Sequence, residues 1–157
     1  MTETGSVFSI NISSGGVPKL PVSEAMVTVN GLDGDRQRNL KYHGGPDRAV
    51  CIYSIERILA LQEEGHPIGT GTVGENLTLS GIDWDAVGPD AMLEVGEALL
   101  EIVSFTPPCR TIRDSFREEK FSRLSQKHFP GWSRVYARVL REGLVREGDV
   151  AALTVLP

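Results

Sequence analysis

Cysteine is scarce in this chain of 157 residues, which contains only Cys51 and Cys109. Two cysteines are too few for the disulfide framework of small secreted domains, so free thiols in a reducing cytoplasm are the simplest interpretation. Long apolar runs are also missing, which argues against a membrane span. The first residues have neither the basic start nor the apolar stretch of a secretory signal. We therefore expect a cytoplasmic protein with no membrane partner.

Linkers, low-complexity tracts and convincing repeats are absent as well. The composition, 40% hydrophobic and 24% charged, is that of an ordinary globular protein. A chain of this length can bury roughly 70% of its unfolded surface without disulfides or structural metals. We expect one domain over residues 1–157.

Positive charge is in the minority, with a formal net charge of −5, but the charge is unevenly distributed. Acidic residues predominate before residue 100, and basic residues are concentrated between Arg110 and Arg141. This basic stretch is either a solvated face or a local positive field for an anionic ligand. The acidic chain has no recognisable nucleic-acid motif, so we expect no nucleic-acid partner.

The apolar pattern favours a mainly β fold with minor α content. Phe8, Ile10 and Ile12 alternate with polar residues, as in a half-buried strand, and residues 48–53 have the pattern of a strand buried on both faces. One helix is predicted after Ser54, a suitable N-cap, and a second over 112–128. About seven short strands with regular turn signals indicate a β-barrel or sandwich. Strands and helices do not alternate as they do in a doubly wound sheet.

The strongest candidate for a reactive group is Cys109. It follows a predicted strand in the run Phe105-Thr106-Pro107-Pro108-Cys109-Arg110. The two prolines stiffen this elbow, and the neighbouring Arg110 favours the thiolate, which is the nucleophilic and metal-binding form of cysteine. Cys51, in contrast, lies within an apolar strand and is predicted to be an inert core residue.

Two polar clusters could supply a binding site. The first combines Gly31-Leu32-Asp33-Gly34-Asp35-Arg36 with His43-Gly44-Gly45 and Arg48, in a predicted long loop over 31–47. Arg36 and Arg48 could grip phosphate, and His43 could donate a hydrogen bond or carry a proton. The alternative is an Asp-Gly turn with salt-bridged charges.

The second cluster is Gly74-Glu75-Asn76-Leu77-Thr78, in which a carboxylate, an amide and a hydroxyl are closely spaced. It could orient a ligand, or it could be a strand-entry turn whose side chains bond their own backbone. A zinc site from Cys109, Cys51 and His43 is conceivable, but no Cys-x-x-Cys or His-x-x-His spacing supports it. A Cys–His hydrolase would need an oriented base, and His43, His66 and His128 remain open as candidates.

Taken in order, these motifs resemble the MOSC domain, which is named for the C-terminal domain of molybdenum cofactor sulfurases. The matching pieces are His43-Gly44-Gly45, then Gly74-Glu75-Asn76-Leu77-Thr78, then Pro108-Cys109, within a similarity that covers about residues 8–156. The resemblance implies a single β-barrel-like domain. It also implies a bound molybdenum cofactor, a pterin dithiolene that holds molybdenum and carries an anionic phosphate tail. No pyridoxal phosphate site is recognised.

The resemblance assigns roles to particular residues. Cys109 takes the place of the family cysteine, which is a metal ligand in the reductase branch and was proposed as a persulfide carrier in the sulfurase branch. His43 and Glu75 are the candidates for proton transfer. The predicted cofactor-binding residues are Asp35, Arg36, His43, Arg48, Glu75, Asn76 and Thr78, to which charge and position add Arg110 and Arg113. Many relatives carry an arginine three residues before the cysteine, where this chain has Thr106.

Three functions follow as hypotheses. The leading one is a molybdenum-dependent oxidoreductase that reduces N-hydroxylated small molecules, with electrons from a separate donor protein. The second is a persulfide carrier for molybdenum cofactor or metal–sulfur cluster assembly, loaded by a cysteine desulfurase. The third is a cofactor-binding module without catalytic activity. The sequence does not define an oligomeric state.

Overall fold

A closed ring of seven β-strands forms the centre of the fold in the computed structural model, which describes residues 1–36 and 45–156. The strands are β1 (Thr2–Ile12), β2 (Leu20–Val22), β3 (Glu24–Thr28), β4 (Gly31–Leu32), β5 (Val50–Ser54), β6 (Leu77–Ser80), β7 (Met92–Val95), β8 (Ala98–Phe105), β9 (Val135–Arg141), β10 (Gly143–Arg146) and β11 (Val150–Thr154). The described part contains one α-helix, α1 (Ile55–Glu63). The 3-10 turns are Pro46–Arg48, Trp84–Ala86, Arg110–Ser115, Arg117–Glu119 and Phe121–Leu124.

The ring runs β11-β7-β8-β9-β5-β6-β1, and pairing of β1 with β11 closes it. In that pair Thr2 lies opposite Thr154 and Ser6 lies opposite Val150. All neighbours are antiparallel except β5 and β6, which are parallel. β2 pairs with the last three residues of β1, Ile10–Ile12, and β10, β3 and β4 form a small second sheet. The prediction of a mainly β, barrel-like fold is confirmed.

The long strand β1 corrects one detail of the predicted alternation. Ile10 is buried as expected, but Phe8 is exposed, and Val7, Ser9 and Asn11 are buried instead. The register of β1 against β6 shifts between Val7 and Ser9, at an irregularity of the bulge type. Because of this shift, β1 turns two polar side chains into the barrel, where they become part of a hydrogen-bonded network.

Helix α1 follows β5 without a loop and begins as the sequence predicted. The side-chain oxygen of Ser54 accepts a hydrogen bond from the Arg57 N–H, which caps the first turn. Ile55, Ile58 and Leu61 form the buried stripe. Within the described residues, no helix has both the length and the apolar character needed to cross a membrane.

The segment after Cys109 is not the helix that the sequence predicted over 112–128. It is a series of 3-10 turns, and Glu118 and Glu119 interrupt it with left-handed backbone at φ 55° and 57°. Ile112, Phe116 and Leu124 do anchor it in the core, as their apolar character suggests. Apolar residues spaced four and eight positions apart are compatible with an α-helix as well as with a series of 3-10 turns. The apolar pattern alone could therefore not distinguish the two structures.

Candidate functional site

A cleft of about 690 Å³ opens where the β1–β2, α1–β6 and β8–β9 connections converge on strand β5. We call its buried lining residues the cleft floor: Lys19, Cys51, Val73, Asn76, Ile112, Arg134 and Tyr136. The partly or fully exposed residues Pro107, Pro108, Cys109, Arg110 and Thr111 form the cleft rim. A volume of this size is in the range of small-molecule and cofactor sites.

Cys109 lies on the rim, with its thiol partly exposed. Its Sγ is 2.7 Å from the hydroxyl oxygen of Thr111. The elbow before it is fastened to the floor, because Arg134 Nη2 donates a hydrogen bond to the Pro107 carbonyl at 3.2 Å. The structure thus places this thiol on a supported elbow at the mouth of a cleft.

The described lining of the cleft carries four cations, Lys19, Arg48, Arg110 and Arg134, and no carboxylate. Much of the other basic charge after residue 110 is paired on the surface. Arg113 pairs with Glu119 at 3.2 Å and does not line the cleft, and Arg123 pairs with Glu64 at 2.9 Å. Both interpretations of the basic stretch therefore hold in part: most of it is a solvated face, and two of its arginines contribute to a positive cleft.

Asn76 and Asp35 join three cleft-forming segments. The Asn76 amide nitrogen donates to Asp35 Oδ2 at 2.8 Å and to the Asn11 carbonyl at 3.3 Å, and the Asn76 amide oxygen accepts from the Cys51 N–H at 3.0 Å. Asp35 also accepts two hydrogen bonds from Lys19 Nζ, at 2.7 and 2.9 Å. This pairing neutralises the lysine on the cleft floor.

Glu75 and Thr78 lie behind the cleft wall rather than in it. Both are fully buried, and the Thr78 hydroxyl donates to Glu75 Oε2 at 2.9 Å while accepting from the Asn11 amide at 3.1 Å. Burial raises the pKa of the Glu75 carboxyl, whose Oε1 has no hydrogen-bond partner. In this arrangement the two residues support the loop that carries Gly74 and Asn76 and do not contact the cleft directly.

The predicted site residues therefore separate into groups. Cys109, Asn76, Arg48 and Arg110 line the cleft, whereas Asp35, Glu75 and Thr78 hold its walls from behind. The side chain of Arg36 is exposed, and its backbone N–H donates to the Ser13 carbonyl. His43 lies outside the described residues. The other candidate bases are elsewhere: His66 accepts from the Arg117 N–H, and His128 is exposed.

Sequence reasoning did not place Lys19, Arg134 or Tyr136 in the site, and it interpreted Cys51 mainly as an inert core residue. Cys51 is buried as expected, and burial raises the pKa of its thiol, yet it faces the cleft rather than closed core. Burial likewise raises the pKa of Tyr136 and keeps its hydroxyl protonated. Lys19 directly follows the Gly15-Gly16-Val17-Pro18 turn, and this position after a Gly-rich turn was the one feature of the sequence that could have indicated a role in the site. Arg134 looked like one more surface cation.

Thr106, the position where many relatives of the resemblance carry arginine, is also buried. Its hydroxyl is 3.9 Å from the Cys51 sulfur, and its backbone N–H donates to the Arg134 carbonyl at 2.8 Å. Residue 106 therefore carries no cation in this chain, but the guanidinium of Arg134, its hydrogen-bonded partner, contacts the adjacent Pro107 carbonyl.

A site for a bare metal ion is not formed by the described residues, among which no three His, Cys, Asp or Glu side chains cluster as ligands. The zinc site that the sequence left conceivable needs His43, which the structure does not describe. A single accessible thiolate suits a metal that is already chelated by another molecule.

The comparison with protein families decides the class of the chain, because the family model described as "MOSC domain" matches residues 39–152. The chain belongs to the MOSC family. Among relatives of this MOSC chain, the uncharacterized protein YflK of Bacillus subtilis is 32% identical over 85% of the chain. Protein YiiM of Escherichia coli is 34% identical over 66% of it. The chain spans 60% and 48% of the lengths of these two proteins.

Solved structures agree with the MOSC assignment. The crystal structure of YiiM from Geobacillus stearothermophilus has a TM-score of 0.74 at 26% identity, covering 96% of this chain and 75% of that one. YiiM from Escherichia coli has a TM-score of 0.70 at 26% identity, covering 100% of this chain and 71% of that one. The YUAD protein of Bacillus subtilis shares the fold over 99% of both chains, with a TM-score of 0.76 at 17% identity.

Proposed function

We propose that this MOSC protein binds molybdenum cofactor in the cleft, with Cys109 as the metal ligand, and reduces N-hydroxylated small molecules. The observation that supports this proposal best is the accessible Cys109 thiol at the mouth of a cleft whose described lining has three arginines, a lysine paired with Asp35, and no carboxylate. Molybdenum cofactor combines a thiophilic metal with an anionic tail, and these two properties match the exposed thiol and the arginines of the cleft lining.

The residues present fit this group on physical grounds. A thiolate is a suitable ligand for a soft metal, and one thiolate is sufficient when a dithiolene supplies further sulfur ligands. The guanidinium groups of Arg110 and Arg134, which line the cleft, would supply positive charge for the anionic tail. When bound, the cofactor would supply two-electron chemistry and a Lewis-acidic centre for the N–O bond.

The side chains of the chain would position the ligand and limit its motion. The Pro107-Pro108 elbow and the hydrogen bond from Arg134 to Pro107 hold the Cys109 thiol at the rim. Asn76, fixed by Asp35 and by the Cys51 N–H, keeps the wall of the cleft in place. Glu75, which the sequence offered for proton transfer, does not line the cleft. Tyr136 does line the cleft, and burial raises the pKa of its phenol.

The proposal is tested by anaerobic reconstitution with molybdenum cofactor, followed by elemental analysis for molybdenum and fluorescence analysis of the oxidised pterin. We expect the wild-type protein to retain both components and Cys109→Ser to lose the metal. Cys51→Ala is the matched control, because it removes the other thiol without touching the proposed ligand, and it should retain the metal. Wild-type protein that takes up no molybdenum at any stoichiometry would refute the proposal.

Catalysis is tested separately from binding. Loaded protein should reduce an amidoxime to an amidine when an artificial electron donor replaces the separate donor protein that we propose for the cell. Stable cofactor binding without turnover would instead favour a binding module.

A second candidate function, a persulfide carrier loaded by a cysteine desulfurase, is favoured by the position of Cys109 on the rim, where a partner protein could reach it. Incubation with a cysteine desulfurase and cysteine, followed by mass spectrometry, separates the two functions. A stable sulfur adduct on Cys109 without molybdenum uptake would favour the carrier. Metal uptake without an adduct would favour the reductase.

A further inference from the structure

We propose that His66 is a pH-sensitive latch. Its neutral ring holds the series of 3-10 turns over 110–124, which we call the 3-10 segment, against the end of helix α1, and protonation of the ring releases that segment. The first residues of the 3-10 segment, Arg110, Thr111 and Ile112, line the cleft, so the latch couples the cleft to pH. This inference does not depend on the proposed function, because it concerns the protein without any ligand.

The hydrogen bonds of the His66 ring identify the form that it has in this structure. Nδ1 accepts a hydrogen bond from the Arg117 N–H at 3.1 Å, and a ring nitrogen that accepts carries no proton. The other ring nitrogen, Nε2, is 3.4 Å from Glu64 Oε1. These contacts are those of a neutral imidazole with its proton on Nε2, facing the carboxylate. A proton added at Nδ1 would place two donors face to face and remove the bond to Arg117.

Glu64 and Arg117 favour opposite forms of this ring. The Arg123 guanidinium donates two hydrogen bonds to the Glu64 carboxylate, at 3.0 and 2.9 Å, and holds the pKa of that carboxyl below its usual range. Glu64 therefore stays ionised in mildly acidic solution, and a carboxylate close to Nε2 favours the imidazolium. The Arg117 N–H, in contrast, requires the neutral ring. An imidazole takes up a proton at about pH 6.5, so the preferred partner changes within the physiological range.

The other groups around the ring do not remove this conflict. Arg117 Nη1 donates to the Glu64 carbonyl at 3.1 Å, which holds that guanidinium at the end of α1 rather than on the ring. The ring packs edge-on against Phe116, with the ring centroids 5.3 Å apart. Two further ion pairs join residues of the 3-10 segment to one another: Arg113–Glu119 and Lys120–Glu118.

Backbone strain in the 3-10 segment favours its release. Glu118 and Glu119, the two residues after Arg117, have left-handed backbone at φ 55° and 57°. Non-glycine residues keep this conformation only where the surrounding contacts hold the chain. The bond from the Arg117 N–H ties this strained stretch to His66, whereas the Glu119 and Lys120 N–H groups bond within the segment. When the bond to His66 is lost, relief of the strain favours movement of the segment.

The competing explanation is that His66 is a structural residue whose contacts do not change with pH. Both explanations include the same contacts for the neutral ring, so a stability measurement at one pH does not distinguish them. Only a latch predicts that the Arg117 amide loses protection as the ring takes up a proton.

The experiment records NMR spectra of the ¹⁵N-labelled full chain, without ligand, between about pH 5 and pH 8. The ring ¹⁵N shifts, assigned by their disappearance in His66→Asn, give the tautomer and the protonation of His66. Hydrogen–deuterium exchange gives the protection factor of the Arg117 amide, in which the direct effect of pH on exchange is divided out. We expect the Nε2–H tautomer at the upper end of the range. The protection factor should fall at least about fivefold as the ring becomes protonated, the loss expected for one backbone hydrogen bond.

Two variants serve as controls. His66→Asn is the matched variant, because its side-chain oxygen offers an acceptor at the position of Nδ1 and does not titrate. Its Arg117 protection factor should be the same at both ends of the pH range. His128→Gln removes an exposed imidazole elsewhere in the chain and should leave the response intact.

Each outcome decides for or against the latch. A His66 ring that carries its proton on Nδ1 at neutral pH would overturn it, as would an Arg117 protection factor that stays constant through the titration of the ring. A pH response that persists in His66→Asn would also overturn it. The amide signals of Thr111 and Ile112 should follow the titration of His66, and signals that stay fixed would overturn the coupling to the cleft. None of these results involves molybdenum, so the latch and the proposed function stand or fail separately.

Discussion

Asn76 holds the cleft together, and its replacement by alanine should therefore be among the most destabilising changes in the wall. The amide group makes three hydrogen bonds inside the protein, to Asp35, to the Asn11 carbonyl and from the Cys51 N–H. Its relative exposure is 1%, so water cannot readily replace these partners. The truncation leaves a buried carboxylate oxygen, a carbonyl and an N–H each with one bond fewer.

The size of the effect follows from these three bonds. A neutral buried hydrogen bond contributes about 1 kcal/mol, and one to a charged group about 1.5–3 kcal/mol. The 3.3 Å bond to the Asn11 carbonyl is the weakest of the set. Asn76→Ala should therefore lower the free energy of unfolding by about 3–5 kcal/mol. The measurement is equilibrium urea unfolding at neutral pH, with the free energy obtained by linear extrapolation.

Two further variants sharpen this test. Asn30→Ala, in the exposed β3–β4 turn, is the control and should change stability by less than about 0.5 kcal/mol. Asn76→Asp keeps the shape but places a carboxylate against Asp35. The pKa of the introduced carboxyl should be raised by this neighbour, so the loss should be largest at neutral pH and should diminish, relative to wild type, towards about pH 4. A loss below about 1 kcal/mol for Asn76→Ala would show that the network does not support the wall as argued.

Three other predictions concern the surroundings of the cleft. Burial raises the pKa of Glu75 above its ordinary value of 4.5, so its contribution to stability is present below that pH and is lost as the pH rises through the folded-state value. Glu75→Gln should remove this decrease of the unfolding free energy with pH, measured by urea unfolding between acidic and neutral pH. An unchanged pH dependence in Glu75→Gln would contradict the burial argument. Cys109 should react with iodoacetamide at least about 100-fold faster than Cys51, because Cys51 is buried and burial raises its pKa. Peptide mass spectrometry measures both rates, and equal rates would contradict the burial of Cys51 on the cleft floor. Gly71→Ala should lower the free energy of unfolding by at least about 2 kcal/mol in the urea assay, because Gly71 has φ +77° and a β-carbon there would overlap the Lys19 carbonyl oxygen. Gly148→Ala, at φ +88° with no atom within 4 Å of the added carbon, should lose only about 1 kcal/mol in the same assay.

The sequence predicted the barrel strands where burial and chain period agree. Residues 50–54, 98–105 and 135–141 form strands β5, β8 and β9 as their apolar patterns indicated. Prediction failed at 112–128, because apolar anchors four and eight residues apart suit a helix and a chain of 3-10 turns equally. It also failed to foresee strand β10, whose four residues carry too short a pattern to identify.

The sequence identified residues on the loops around the cleft but not the buried arginine of its floor. Cys109, Asn76, Arg48 and Arg110 were singled out from local signals, a rigid elbow and Gly-rich loops, and they line the same cleft. Their role in binding a cofactor stays a prediction. Arg134 could not be recognised, since its burial depends on which way β9 faces in the closed ring. Glu75 and Thr78 were predicted to bind the cofactor, but the sequence could not show that both are buried behind Asn76 and do not line the cleft.

The pairing of β1 with β11 means that the ring is closed by the two strands farthest apart in the chain. Thr2–Ser6 can pair with Val150–Thr154 only after all the residues between them have left the ribosome. Until then the edge of β1 that pairs with β11 has no partner strand. Its Thr, Glu and Ser side chains disfavour pairing of this exposed edge with another chain, which would lead to aggregation. Such long-range contacts slow folding, so we expect formation of the cleft to depend on the pairing of β11 with β1.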